Sequence, residues 1–168
     1  VLDTLVSQFS SVGVFRAVSP SAAKPDAALE MLHQFATSGV PVENCVGVNY
    51  TDVHASPEKA LSEILERFKA LEAQCDAVLI LGSDYTDVVS PTELSFNARI
   101  AANLNASMVL VLSGRKTTTF EENLGQAPER SALEVSQVAE LAMQELQNEH
   151  TSLLAVVVNR ASQDSSIQ

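Results

Sequence analysis

Three carboxylates, Asp84, Asp87 and Glu93, crowd the polar stretch that follows the apolar run Ala77–Leu81. A carboxylate just beyond the carboxyl end of a parallel strand can hold Mg²⁺ beside a nucleotide phosphate, which makes Asp84 the candidate metal ligand. The same residues also have structural uses. Asp84 and Asp87 favour a turn and place charge near a helix N-terminus, and Glu93 completes a capping box with Ser90. Arg16 ends one apolar run and Asn159-Arg160 another. In a parallel sheet these positions share a rim with the Gly82–Thr92 loop, so Arg16 and Asn159 are candidates for binding an anion or a base. The alternative is that polar residues there only mark where a sheet meets water. His33, His54 and His150 fall in three separate segments and read as surface or helix-end residues rather than a catalytic set. Cys45 and Cys75 lie at the edges of apolar segments without C-x-x-C spacing and are expected to be reduced core residues. The sequence contains no G-x-x-x-x-G-K-[ST], no G-x-G-x-x-G and no G-x-S-x-G, so it carries neither a phosphate cradle nor a nucleophile elbow.

The elements that must position these residues follow from periodicity. Ala77–Leu81 and Met108–Leu112 are short, rich in Val, Ile and Leu and without polar alternation, which predicts parallel strands covered on both faces. Val12–Val18 and Leu153–Val158 read the same way, and Cys45–Tyr50 as a short edge strand. Helices are expected where Leu2, Leu5, Val6 and Phe9 share a face. Others are expected over Asp26–Thr37 with Leu29, Leu32, Phe35 and Ala36 inward, and from Ser56-Pro57 with Leu61, Ile64, Leu65, Phe68 and Leu71 as the buried stripe. Two more run from Ser90 with Leu94, Ile100, Ala101 and Leu104 inward, and from about Ser131 to Gln147. Ser113 to about Gln126 reads as a long polar loop. One domain over residues 1–161 is expected, followed by a polar tail over 162–168. Because the chain opens in a helix that feeds a buried strand, a strand before it is expected to be missing.

Twenty-one acidic against ten basic residues give a net charge of −11, which repels phosphate backbones and anionic lipid. Nucleic acid and membrane surfaces are therefore not expected partners. No apolar run approaches the ~20 residues that span a bilayer, and no charged-then-apolar leader is visible, so a soluble, cytoplasmic chain is expected.

Five blocks carry a family resemblance: VGVFRAV at Val12–Val18, GSDYTDV at Gly82–Val88, ELSFNARIAANL at Glu93–Leu104, VLVLSGR at Val109–Arg115 and VVVNRA at Val156–Ala161. Together they resemble the N-terminal domain of the long form of phosphate acetyltransferase, the actinobacterial type most closely. The resemblance covers nearly the whole chain. It implies an α/β fold of three layers, a parallel sheet with helices on both faces, P-loop NTPase-like and similar to dethiobiotin synthetase, here lacking the first strand and the phosphate loop. It implies a non-catalytic regulatory or assembly domain of an enzyme that interconverts acetyl-CoA plus phosphate with acetyl phosphate plus CoA. The implied partners are a C-terminal catalytic domain of the same chain, further copies in a homo-oligomer and a small-metabolite effector. By the same resemblance Arg16 and Asn159 occupy positions that contact nucleotide in ATP-using relatives. The acidic position of those relatives is Leu81 here, followed by Gly82, with Asp84 the nearest carboxylate. No cofactor is expected within these residues, and ATP with Mg²⁺ would require a phosphate loop upstream. The other readings are an ATP- and Mg²⁺-dependent ligase like dethiobiotin synthetase, and a stand-alone binding domain.

Overall fold

The computed structural model describes residues 1–20, 26–83, 92–116 and 127–161. The chain divides into two compact units, Val1–Tyr85 and Thr86–Gln168. Both are built of parallel strands flanked by helices, the architecture expected from the apolar runs. No helix among the described residues is long and apolar enough to cross a membrane.

In the first unit, helix α1 (Leu2–Gln8) leads into β1 (Val12–Ser19), which pairs in parallel with β2 (Val46–Asn49) on one side and β3 (Ala77–Leu81) on the other. All eight residues of β1 are buried, as befits a strand with a neighbour on each side. Alternation along β1 sends Phe15 to one face and Arg16 to the other. On the Phe15 face lies α4 (Pro57–Glu72), which buries Ala60, Leu61, Ile64, Phe68 and Leu71. The Phe15 and Phe68 rings meet edge to face, centroids 5.4 Å apart. Gly47 lets β2 come close to its neighbours, because a Cβ there would stand 2.3 Å from the Ala17 carbonyl oxygen and 3.1 Å from Ile64. Asp76 pins the start of β3 to the start of β1: its carboxylate accepts from the Ser11 N–H at 2.9 Å, and its own N–H donates to the Ser11 carbonyl at 2.8 Å.

Several boundaries differ from expectation. Helix α2 is Ala27–His33 rather than Asp26–Thr37; it buries Leu29, while Phe35 lies beyond its end and is 61% exposed. The chain leaves the helix early because the Thr37 and Ser38 N–H groups both donate to the Val12 carbonyl, which anchors the segment to β1 instead. A 3-10 turn (Val42–Cys45) precedes β2, and α3 (Tyr50–Ala55) follows it, where no helix was expected. Ser56 stands at the N-cap of α4 without a side-chain capping bond, since it also closes α3 through its N–H to the Asp52 carbonyl.

In the second unit, α5 (Thr92–Leu104) and α6 (Ala132–Asn148) accompany the parallel pair β4 (Met108–Ser113) and β5 (Leu153–Asn159). Ser131 caps α6 in a reciprocal capping box with Glu134. Both helices end through a residue of positive φ, Asn105 at 51° and His150 at 56°. In each case an amide beyond the end bonds back five residues, Ala106 to Ala101 and Thr151 to Leu146. The Thr151 hydroxyl then donates to the Ala98 carbonyl at 2.8 Å, tying α5 to the entry of β5. In β4, Leu110 and Leu112 are buried but Val111 is 61% exposed. Its register partner Val157 is 46% exposed, so the face of the ribbon that carries these two valines is open. Ser90, expected to cap α5, lies outside the described residues, as do 117–126 of the polar loop and the tail 162–168.

Candidate functional site around Arg16

Arg16 is the candidate that the fold treats most unusually. It does not end its strand, since β1 continues to Ser19, and it lies in register with Val46 on one neighbour and Leu81 on the other. A charged side chain in the middle of a buried strand demands a counter-ion. Asp26 supplies it: Nε of Arg16 lies 2.7 Å from Oδ2 of Asp26, and the two side chains are 8% and 6% exposed. The contact is an ion pair by distance, yet neither Nε nor Oδ2 completes a hydrogen bond of good geometry. Nη1 of Arg16 donates to the Gly82 carbonyl, at the exit of β3. The other oxygen of Asp26 is the N-cap of α2, accepting from the Ala28 N–H at 3.0 Å and the Leu29 N–H at 3.1 Å.

One guanidinium thus joins the middle of β1, the start of α2 and the exit of β3. Sequence reasoning identified Arg16 and missed Asp26, whose visible signal was only that of a helix-starting residue before Ala27. Which cation a buried carboxylate meets is a long-range matter that local spacing does not encode.

Asn159 lies in the second unit, at the end of β5 opposite Ser113 of β4. Its side chain is exposed and its carbonyl accepts from the Gly114 N–H at 2.7 Å. Arg160, with φ 58°, donates from Nη2 to the Ser113 hydroxyl at 3.0 Å. The backbone crosses closely here, since a Cβ on Gly114 would fall 2.7 Å from Cα of Ala161. Beyond β4 the chain is clamped by an antiparallel bridge between Arg115 and Glu129, reinforced by their ion pair at 3.0 Å and by Lys116 to Glu134 at 2.6 Å. Hydrogen bonds from Lys116 and Ser131 pull the Glu134 carboxyl down to about 2.

Asp84 and Asp87 lie outside the described residues. Among the described residues no group of three or more His, Cys, Asp or Glu could hold a metal ion. The histidines have local structural positions: His33 Nε2 lies 2.7 Å from the Val40 carbonyl, His54 packs edge to face on Tyr50, and His150 turns the chain out of α6. Both cysteines are free thiols, Cys45 fully buried. Burial, aided by Cys75 and Glu43, pushes the Cys45 thiol up to about 11.

As to fit for a nucleotide with Mg²⁺, Arg16 already holds a buried counter-ion, and position 81 is a leucine whose side chain offers no oxygen.

Parallel strands linked by helices, with polar side chains gathered at strand ends, define an α/β domain of the P-loop NTPase-like class. The chain belongs to the AAA domain family, which matches it over residues 2–168 and includes members like dethiobiotin synthetase. No solved structure matches the chain.

Proposed function

We propose that this chain is a non-catalytic regulatory and assembly domain of a phosphate acetyltransferase, and that its nucleotide site is vestigial. The observation that carries the non-catalytic part is the closure of Arg16 by Asp26. A cation that must meet a phosphate in each catalytic cycle works best when open to solvent and pre-aimed, whereas this one is buried on an internal carboxylate. Leu81 in the place of an acidic residue supports the same reading. The five sequence blocks described above support the choice of parent enzyme. On this reading the partners are a catalytic domain in the same polypeptide, other copies of the chain and a small-metabolite effector. Asp84 and Asn159 are then remnants of a metal and nucleotide site. The test is phosphate-dependent acetyl transfer from acetyl-CoA by the purified full-length protein. Absence of that activity would remove the proposal.

A second reading, an ATP- and Mg²⁺-dependent ligase like dethiobiotin synthetase, is favoured by the family match along 2–168. It requires that the full-length protein bind ATP with Mg²⁺. Calorimetry showing saturable, Mg²⁺-dependent ATP binding that is lost in Arg16→Gln would support it over the first.

A further inference from the structure

We propose that Asp26 is an internal competitor for Arg16: it occupies the oxyanion site of that guanidinium, and a phosphate-like ligand binds there by exchanging with the Asp26 carboxylate. The inference rests on the regulatory reading above in taking Arg16 as part of an effector site, and it adds the ligand class and the residue that restrains it.

Three features of the fold point to exchange rather than a permanent structural pair. The pair is close but badly directed, since Nε and Oδ2 face each other at 2.7 Å without forming a hydrogen bond of good geometry. An oxyanion with oxygens in several directions can meet a guanidinium with aligned bonds, which a carboxylate tied at its other oxygen cannot. Asp26 is tied in that way, because Oδ1 caps α2 at Ala28 and Leu29. The element that carries Asp26 is also lightly held. Helix α2 is seven residues long and buries only Leu29, with Met31 56% exposed, so moving it uncovers little apolar surface. Finally, displacing Asp26 leaves a buried guanidinium without its carboxylate, and an anion from solution must take that place. Its other contact, the Gly82 carbonyl, is a neutral acceptor and does not meet that need.

The experiment uses the full-length protein and inorganic phosphate. Titration calorimetry counts phosphate sites per chain and their affinities in wild type, Asp26→Asn, Asp26→Ser and the double variant Arg16→Gln/Asp26→Asn. Asn and Ser are both good N-caps, so α2 keeps its start in each, and either variant alone suffices if the other does not fold. The expected result is one site whose affinity rises at least tenfold when Asp26 is replaced and which disappears in the double variant. A site unchanged by Asp26 replacement overturns the proposal, as does a gained site that survives loss of Arg16. Acetyl transfer measured on the same samples separates the two ideas. Transfer without an Arg16-dependent phosphate site leaves the parent assignment standing and removes the exchange. A phosphate site without transfer does the reverse.

Discussion

Lys116 Nζ lies 2.6 Å from Oε1 of Glu134, joining the residue just beyond β4 to the first turn of α6. Glu134 also receives the Ser131 N–H at 2.8 Å, so its ionised form has three donors, counting the Ser131 hydroxyl. These lower its carboxyl from 4.5 to about 2. The folded state therefore binds this proton more weakly than the unfolded state, and the stabilisation is fully present above about 4.5 and lost as pH falls toward 2. In Glu134→Gln, the dependence of urea-unfolding stability on pH across that window should flatten relative to wild type. Parallel profiles would show that the clamp does not act in solution.

Replacing Phe68 by Ala should remove about 3–5 kcal/mol, because the ring is 5% exposed and stacks edge to face on Phe15, leaving a cavity between α4 and β1. Phe68→Leu, closer in volume, should cost clearly less. Denaturant midpoints at constant slope report both, and equal losses would mean that the site collapses rather than leaving a void.

Asn49 caps α3 by accepting from the Asp52 N–H at 3.1 Å, while Asp52 accepts from the Asn49 N–H at 3.2 Å. Asn49→Ala should cost about 1 kcal/mol and Asn49→Ser only a few tenths. Equal stability of all three proteins in urea would show that α3 is held by tertiary contacts alone.

Cys45 should resist alkylation. Its thiol is buried and raised to about 11, so the thiolate that reacts is scarce at pH 8. Iodoacetamide labelling followed by peptide mass analysis should leave Cys45 unmodified in the native protein and modify it in urea. Fast native labelling of Cys45 would mean that the 3-10 turn before β2 opens readily.

The readable parts of this molecule were those set by local pattern. The apolar runs at Val12, Ala77, Met108 and Leu153 became strands within a residue or two, because a run of branched residues has few other ways to bury itself. Ser56-Pro57 and Ser131 marked true helix starts, though Ser56 does so without its hydroxyl. Helix α3 was legible in principle, since Asn49 and Asp52 have capping-box spacing, but six residues with little apolar periodicity give a weak signal. Phe35 was misplaced on an inward face because the pattern continues past the point where β1 captures the backbone of Thr37 and Ser38.

By itself the sequence determined the class of fold, the succession of its strands and of every α-helix but α3 along the chain, and Arg16 as a residue of chemical interest. Only the tertiary structure decided what Arg16 does. Its partners are ten residues ahead at Asp26 and sixty-six ahead at Gly82. They meet because β3 aligns beside β1 in parallel, placing Leu81 opposite Arg16, while the start of α2 lies at the same guanidinium. Charge pairing in a buried place depends on which segments the sheet brings together, and that is a property of register and packing rather than of spacing along the chain.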